Sequence, residues 1–329
     1  MLQMASGYWV SQALYVAAKL GIADHLAAEP QSSDELARLT NTHPDTLYRL
    51  LRALASVNVF AEIENQPRHF QLTPLAECLR SDSPVSMRSF VLMLGEEHYA
   101  AWGELLYSVQ TSNSAFEKRF GAQVFDYFAQ HPESAKVFNA AMTSGSMLEN
   151  QAIVAAYDFS GIQTIVDVGG GQGSLLAAIL KTTPTLKGIV FDQPSLQPKA
   201  EALLEANEVG DRCQFIGGNF FESVPGGGDA YLMKHIIHDW DDERSLTILQ
   251  LCRQVMPDNG RVLIAEQVIS PGNDPSVSKF MDLNMLIMTS GGRERTEVEY
   301  EQLLSRAGLR LTRIVPTTSD ISIVEGVKA

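Results

Sequence analysis

The chain has 329 residues, of which 45% are hydrophobic, so it is long enough for two globular domains with a sizeable core. Its formal net charge of −14 argues against a nucleic-acid partner and against binding to anionic membranes. No basic segment opens the chain and no apolar run approaches the roughly 18 residues of a membrane span, so we expect a cytoplasmic protein. Three cysteines, Cys78, Cys213 and Cys252, fit no zinc or redox spacing, and we expect them to be reduced and buried.

The first 100 residues are predicted to be mostly helical and to end in a small hairpin. Segments 8–20 and 34–54 carry apolar residues at helical spacing, and a turn at Thr42-His-Pro44 interrupts the second segment. Segments 59–64 and 68–73 have the pattern of two strands that flank Asn65-Gln-Pro67. A helix-turn-helix followed by a hairpin is a winged-helix pattern.

This pattern leaves a DNA-binding regulator with a ligand-binding second domain as one alternative. The helix that would enter DNA, residues 44–56, carries Arg49 and Arg52 against Asp45, which is a thin basic face. The segment as a whole is not basic, so the phosphate attraction that drives DNA affinity is missing. The composition therefore speaks against DNA binding.

From residue 99 to 157 the chain is again predicted to be helical, and from residue 162 strands and helices alternate. Helix 132–150 carries Phe138 and Met142, which can form one wall of an aromatic substrate pocket. Strands are predicted at 164–168, 188–192, 213–217, 230–235 and 261–267, with helices at 175–181, 197–207 and 244–256. The last two strands, 309–316 and 321–327, suggest an antiparallel pair. The alternation predicts an α/β fold with a Rossmann-like doubly wound sheet and a ligand at the carboxyl ends of its strands.

The segment Thr164-Ile-Val-Asp-Val-Gly-Gly-Gly-Gln-Gly-Ser-Leu-Leu176 is the most informative of the chain. A β-branched run leads into Gly169, Gly171 and Gly173, after which a helical pattern begins. Glycines there let the backbone approach a ligand, and the free N–H groups of a helix start favour a polar or anionic group. Nineteen residues past Gly173, the second strand ends in Asp192, whose carboxylate can accept both hydroxyls of a ribose. These features predict a nucleoside-containing cofactor.

Two classes of cofactor have to be separated. The dinucleotide fingerprint G-x-G-x-x-G is only partly met, because from Gly169 its third glycine falls on Ser174. A carboxylate at Asp167 would repel a pyrophosphate but not a ligand that carries an ammonium or sulfonium group. The pattern Asp-x-Gly-x-Gly-x-Gly resembles the first motif of the S-adenosylmethionine-dependent methyltransferases. We therefore favour a methyltransferase, and a dehydrogenase is the alternative.

Polar residues follow the third and fourth strands as well. Asn219 is expected near the adenine, where its side-chain oxygen can accept from the exocyclic amine, although a turn role is the alternative. Lys234 ends an apolar strand and would meet a carboxylate, such as that of the methionine part of the cofactor. His238 lies just beyond, within reach of a reacting group. A metal site formed by His235, His238 and Asp239 is an alternative, but the sequence has no further metal ligand at a matching spacing.

Two acids support His238 as a general base. Glu266 ends the next strand, and Glu294 lies in Gly291-Gly-Arg-Glu-Arg-Thr. A carboxylate bonded to one ring nitrogen fixes the tautomer and stabilises the imidazolium, which leaves the other nitrogen to take a proton.

Five motifs occur together in this order: Asp-Val-Gly-Gly-Gly-Gln-Gly, Phe-Asp-Gln-Pro, Gly-Asn-Phe-Phe, Met-Lys-His-Ile-Ile-His-Asp-Trp and Gly-Gly-Arg-Glu-Arg-Thr. With the helical first half, they resemble the dimeric class I small-molecule O-methyltransferases, such as the caffeic acid and flavonoid enzymes of plants, acetylserotonin O-methyltransferase and bacterial natural-product enzymes. The resemblance covers nearly the whole chain. It implies a homodimer in which the winged helix dimerises instead of binding DNA and lends residues to the partner's pocket.

The resemblance also implies a domain division and a set of site residues. Residues 1–100 would be the winged-helix-like dimerisation domain, 101–160 a helical linker with pocket helices, and 161–329 the S-adenosylmethionine-binding catalytic domain. The general base maps onto His238 and its flanking acids onto Glu266 and Glu294. The residues implied to bind the cofactor are Asp167, Gly169, Gly171, Gly173, Asp192, Gln193, Asn219, Phe220 and Lys234. The family often has Asp where this chain has Asn219, and this departure leaves the geometry of the contact with adenine open.

The implied reaction is methyl transfer to a hydroxyl, of the phenol or enol type, without a metal. The enzyme must hold an oxygen in line with the sulfonium methyl group, and a histidine suits the removal of a phenolic proton. The acceptor is expected to be planar and largely apolar, because its predicted wall is apolar and adaptable: Phe138, Met142, Trp240, Met285 and Met288. Asp239 is a further residue that we expect to bind the acceptor. A fold member that binds the same cofactor but catalyses C-methylation or a non-methylating reaction is the alternative.

Overall fold

The strand–helix alternation that begins near residue 162 builds one large sheet in the computed structural model, which describes residues 1–329. The strands are β1 (Gln31–Ser32), β2 (Phe60–Glu62), β3 (His69–Leu72), β4 (Thr164–Val168), β5 (Lys187–Asp192), β6 (Cys213–Gly217), β7 (Ala230–Lys234), β8 (Arg261–Ile269), β9 (Arg295–Thr296), β10 (Leu309–Pro316) and β11 (Ile321–Lys328).

The helices fall mainly in the first half of the chain and between the strands of the large sheet. They are α1 (Leu2–Ala5), α2 (Gly7–Lys19), α3 (Ile22–His25), α4 (Ser33–Thr40), α5 (Pro44–Ala55), α6 (Pro74–Glu77), α7 (Arg88–Met93), α8 (Tyr99–Trp102), α9 (Leu105–Thr111), α10 (Ala115–Phe120), α11 (Val124–Gln130), α12 (Pro132–Ala156), α13 (Ser174–Thr182), α14 (Gln197–Ala206), α15 (Asp242–Val255), α16 (Val277–Met288) and α17 (Glu297–Arg306). A π-helical turn spans Leu94–His98, and 3-10 turns span Pro194–Leu196 and Ile237–Asp239.

The large sheet has the strand order β10-β11-β8-β7-β4-β5-β6, and the short β9 pairs with β8 off this path. Strands β4 to β8 pair with one another in parallel, whereas β11 runs antiparallel to both β8 and β10. The predicted doubly wound sheet with a terminal antiparallel pair is therefore confirmed. The strand order reverses at β4, which has β5 on one side and β7 on the other, so a crevice opens at the carboxyl ends of these strands.

Successive side chains along the central strands point to opposite faces of the sheet, and both faces are buried. Two separate apolar clusters result, one on each face: Ile165, Leu232 and Leu263 belong to the first, and Val166, Tyr231 and Val262 to the second. A sheet that is held from both sides gives the carboxyl strand ends a rigid support.

Two helices between β8 and β10 were not predicted from the sequence. Helix α16 is apolar on several sides, so it shows no clear amphipathic stripe. Helix α17 does carry a sequence signal, the reciprocal capping box of Thr296 and Glu299. Strand β7 ends at Lys234, one residue before the predicted end, because His235 takes a left-handed backbone conformation with φ of 56°.

The first 100 residues are mostly helical, as predicted, and contain the expected helix pair α4 and α5 with the hairpin of β2 and β3. The two-residue β1 adds to this hairpin in the order β1-β3-β2. Leu36, Leu51 and Phe70 lie in the core that these elements share. The N-terminal helices α1 and α2 leave large apolar side chains exposed, among them Leu2 and Trp9.

The chain divides into two compact units, one of residues 1–103 and 125–145 and the other of residues 104–124 and 146–329. The segment 101–160 thus contributes to both units.

All three cysteines are free, and Cys213 and Cys252 are buried as expected, but Cys78 is half-buried because it caps the short surface helix α6. None of the helices combines the length and the apolar composition needed to cross a membrane.

Candidate active site

The glycine-rich loop after β4 lies against the end of β5. Gly169, Gly171 and Gly173 all have positive φ, which only glycine adopts readily. Gly171 donates its backbone N–H to one carboxylate oxygen of Asp192 at 2.7 Å, and Gln193 donates to the other at 2.6 Å. The structure therefore brings together the loop and the acid that the sequence predicts for a ribose-bearing ligand.

Asp167, near the end of β4, is a buried carboxyl with one oxygen that lacks any hydrogen-bond partner. Burial raises the pKa of Asp167 to about 7. The positive charge of Lys234 lowers this pKa in part, and the negative charge of Asp192 raises it further. A buried carboxyl without a partner is costly unless something compensates it. A cationic ligand group would provide that compensation, as expected from the sequence.

Lys234, at the end of β7, is almost fully buried among polar groups of helix α12. Its ammonium donates to Asn150 at 2.8 Å and to Glu149 at 3.3 Å. Asn150 in turn donates to Ser174 at the start of α13. Burial lowers the pKa of Lys234, while the charges of Glu149 and Asp167 act in the opposite direction. Glu149, Asn150 and Ser174 were not predicted from the sequence, because only the packing of α12 brings them to this strand end.

Asn219 and Phe220 follow β6, on the far side of Asp192. The amide of Asn219 holds a local turn, since its oxygen accepts from the backbone N–H of Phe221 and its nitrogen donates to Glu222. This is the turn role that was the alternative, and the predicted contact with adenine stays a prediction. Phe220 lies beside the glycine loop, 3.6 Å from the point that a Cβ on Gly169 would occupy.

His238 is buried in the loop after β7, and its ring is paired with Glu294. Its Nδ1 lies 2.8 Å from a carboxylate oxygen of Glu294, so a neutral ring that donates there presents Nε2 as its basic nitrogen. A carboxylate oxygen of Asp239 lies 3.7 Å from Nε2. Burial lowers the pKa of His238, but the hydrogen bond to Glu294 and the charges of Asp239, Glu266 and Glu294 together raise it above its ordinary value.

Glu266 does not contact the imidazole, contrary to the expectation that both acids flank the ring. One of its oxygens accepts the backbone N–H groups of Ile236, Ile237 and His238 at 2.7–3.1 Å. The other accepts the hydroxyl of Tyr300 at 2.6 Å. This carboxylate therefore holds the backbone of the loop instead of the ring, because β8 delivers it beneath the turn.

Arg295 holds the same loop from the opposite side, and the sequence analysis missed it. It is fully buried and donates to the carbonyl oxygens of Ile237 and Trp240, each at 3.2 Å, and to Asp242 at 2.8 Å. Its place directly after Glu294 in the Gly-Gly-Arg-Glu-Arg-Thr motif was the available signal. We call residues 236–240, held between Glu266 and Arg295, the base loop.

The residues predicted for the acceptor lie in different parts of the chain. Trp240 packs edge-on against Phe221, with ring centroids 4.8 Å apart, and Met285 and Met288 are buried along α16. Phe138 and Met142 belong to the other compact unit, where Phe138 stacks on Phe128, and Met142 is partly exposed. Their role in a pocket stays a prediction. No group of three or more His, Cys, Asp or Glu side chains is arranged to hold a metal ion.

Comparison with protein families and curated proteins gives consistent matches over the chain. A profile of the O-methyltransferase domain matches residues 102–310, and one of the O-methyltransferase dimerisation domain matches residues 2–82. The phenazine O-methyltransferase PhzM of Lysobacter antibioticus is 48% identical over 99% of this chain and 94% of its own length. A phenazine-1-carboxylate N-methyltransferase of Pseudomonas aeruginosa is 32% identical over 100% of this chain and 97% of its own.

Solved structures also match this chain over its whole length. The crystal structure of LaPhzM has a TM-score of 0.93 at 47% identity and covers 100% of this chain and 98% of that one. CalO1, a methyltransferase in calicheamicin biosynthesis solved in its SAH-bound form, has a TM-score of 0.87 at 38% identity and covers 100% and 97%.

Gly292 tests how tightly the base loop is packed. A Cβ at this position would lie 2.6 Å from the carbonyl oxygen of His238 and 2.9 Å from that of Asp239, so Gly292→Ala must displace backbone. We expect this variant to lose about 1–3 kcal/mol of unfolding free energy, measured by urea denaturation. Gly226→Ala is the matched control, because the nearest atom there is 3.9 Å away. Equal stability of the two variants would contradict the tight packing.

Proposed function

Because this chain belongs to the class I S-adenosylmethionine-dependent O-methyltransferases, of the bacterial natural-product type, we propose that it methylates a hydroxyl oxygen of a planar, largely apolar small molecule. It is an S-adenosylmethionine-dependent methyltransferase, and the choice of oxygen as acceptor atom is the proposal. The observation that carries it is the buried pair of His238 and Glu294, which leaves Nε2 of the ring as a base.

The polar groups at the carboxyl strand ends fit the cofactor. The orphaned oxygen of Asp167 suits a positively charged group, and Asp192 suits a pair of ribose hydroxyls. Lys234 suits the carboxylate of the methionine part. S-adenosylmethionine supplies, when bound, an electrophilic methyl group on a sulfonium.

The proposed work of the side chains is to remove one proton and to keep the base oriented. Nε2 of His238 takes the proton of the acceptor hydroxyl, while Glu294 stabilises the imidazolium that forms. A phenol, like tyrosine, has a pKa near 10 in water and is mostly protonated at neutral pH, so such a base raises the rate by ~10²–10⁴-fold. The carboxylates around His238 raise its pKa towards that of such an acceptor, so transfer to a deprotonated ring is less uphill, while a smaller fraction of the rings is deprotonated at neutral pH.

A second candidate is N-methylation, because the relatives of this chain include N-methyltransferases. The Pseudomonas aeruginosa relative is named an N-methyltransferase and matches this chain along its whole length. A ring nitrogen with a free lone pair needs no base, so His238 would be dispensable for such an acceptor. The dependence of the reaction on His238 therefore separates the two candidates.

Substitution of Asp192 tests the cofactor site. Asp192→Ala removes a carboxylate that we expect to accept two hydrogen bonds, so S-adenosylhomocysteine should bind at least about tenfold more weakly in calorimetry. Asp258→Ala, which changes a fully exposed acid, is the control. Unchanged affinity in a folded Asp192→Ala variant would remove Asp192 from the site.

Substitution of His238 tests the base. With a panel of phenols and mass spectrometric detection of the added CH₂ group, His238→Ala should lower turnover ~10²–10⁴-fold and leave cofactor affinity nearly intact. The loss should shrink as the pH approaches the pKa of the acceptor, since a phenolate needs no base. His43→Ala, at an exposed histidine, is the control. Turnover within a few-fold of wild type on the true acceptor would refute O-methylation with this base.

Glu294→Gln should change the pH profile in a defined direction. The glutamate raises the pKa of His238, so its removal lowers that pKa, and the ring stays deprotonated to more acidic pH. The acid limb of kcat/KM should therefore move down by about one pH unit or more, while the plateau falls because a weaker, less oriented base remains. Glu297→Gln, an exposed site in the same segment, is the control. An unmoved acid limb would show that Glu294 does not act on the base.

We also propose that the enzyme is a homodimer built mainly by residues 1–100. The dimerisation-domain match covers residues 2–82, and helices α1 and α2 expose large apolar side chains within it. The aromatic pair Tyr8 and Trp9 stands out, because both rings are more than half exposed.

Light scattering at micromolar concentration should report twice the mass of the chain. Replacing both Tyr8 and Trp9 by Lys should weaken the dimer by at least about a hundredfold, because buried aromatic anchors dominate such interfaces. Val298→Lys, at an exposed apolar site of the other unit, should leave the dimer intact. A wild-type monomer, or a dimer indifferent to the double substitution, would contradict the proposal.

A further inference from the structure

His235 is a strained residue beside the base, and the proposed reaction does not use it. Its φ of 56° is left-handed, which few residues other than glycine adopt without cost. Its ring stacks on that of His238, with centroids 5.0 Å apart and planes at 29°. Its Nδ1 is buried and has no hydrogen-bond partner. The backbone thus holds a second imidazole against the base at a conformational cost.

Glu149 connects this ring to the cofactor end of the site. A single oxygen of Glu149 lies 3.1 Å from Nε2 of His235 and 3.3 Å from the ammonium of Lys234. Burial raises the pKa of Glu149, but its bonds to His235 and Lys234 outweigh this and lower it, so the carboxylate stays ionised. One anion is therefore shared between the lysine that is proposed to bind the cofactor and the imidazole that stacks on the base.

We propose that Glu149 and His235 are positioning residues that transmit cofactor occupancy at Lys234 to the protonation state of His238. The inference rests on the proposed function, in which Lys234 binds the carboxylate of the cofactor. That carboxylate competes with Glu149 for the ammonium of Lys234. Glu149 then pairs more fully with His235 and favours its protonated form.

The second step is repulsion between the two stacked rings. Two imidazolium ions 5.0 Å apart repel each other, so a proton gained by His235 from solvent favours release of one by His238 to solvent. The charged and titratable groups around His235 are Glu149 from α12, Lys234 and Asp239 along its own segment, and His238. Glu294 and Glu266 act on His238 and keep its proton in the absence of cofactor. The base is thereby freed when the cofactor is present.

Nuclear magnetic resonance of the ring nitrogens tests this coupling without an acceptor. The protein is labelled with ¹⁵N-imidazole histidine, and the resonance of His238, one of seven histidines, is assigned by its loss in His238→Ala. The pH titration is run with and without saturating S-adenosylhomocysteine, whose binding is verified by calorimetry. This ligand lacks the sulfonium charge, so the direct field of a sulfonium on His238 is absent, and the variants of Glu149 and His235 identify the part of a shift that comes through the protein.

We expect S-adenosylhomocysteine to lower the midpoint pH of His238 by about half a unit or more in the wild type. The shift should fall to less than half of this value in Glu149→Gln, which keeps the shape and removes the charge. It should fall equally in His235→Asn, since Asn tolerates the left-handed backbone. Asn150→Ala removes the other partner of Lys234 and leaves the Glu149–His235 pair, so it should retain the shift.

The same set of measurements contains the results that would overturn the coupling. An unshifted wild type with the ligand bound, or a full shift in both Glu149→Gln and His235→Asn, would each refute it. Loss of the shift in Asn150→Ala with retention in Glu149→Gln would do so as well. A wild type that binds no S-adenosylhomocysteine would refute the cofactor site together with the coupling, which distinguishes that failure from the others.

Discussion

The candidate site depends on one constraint: the base loop is held between two buried side chains of opposite charge. Glu266 accepts three successive N–H groups of the base loop, and Arg295 donates to two of its carbonyl oxygens. The three N–H groups lie at the start of a 3-10 turn, where they have no carbonyl partner within the turn, and buried polar groups without partners are costly. Each charge is therefore compensated by backbone dipoles, and His238 lies in the middle of the loop. The position of its ring follows from that of the backbone.

This arrangement divides the work among the acids in a way that their spacing along the chain does not reveal. Glu294 bonds to Nδ1 of the His238 ring, whereas Glu266 bonds to the backbone of the base loop and not to the ring. Tyr300 donates to the second oxygen of Glu266, so both oxygens of that carboxylate have partners other than the imidazole. The orientation of the His238 ring and the conformation of the loop backbone therefore depend on two different carboxylates.

Much of the fold could be predicted because its signals are local. Strand 164–168 ends in glycines and strand 213–217 ends in a turn, so the structure reproduces the predicted bounds of both. Helix α16 was not predicted from the sequence because it is apolar on several sides. Within the site, the residues at strand ends were predicted, but Glu149 and Tyr300 were not. These two act across 86 and 34 residues of sequence, and only the packing of helices α12 and α17 determines where their side chains arrive.

The same loop explains how a strained residue persists beside the base. A left-handed, non-glycine residue such as His235 costs on the order of 1–3 kcal/mol and survives only where its surroundings overdetermine it. Strand β7 fixes the chain before His235, and the N–H groups that Glu266 accepts fix it directly after, so little freedom remains between them. The strain brings the chain out of the sheet plane within one residue. Lys234 then stays at the end of β7 while His238 lies in the base loop, so the residues proposed to bind the cofactor and to act as the base are joined by a single turn of backbone.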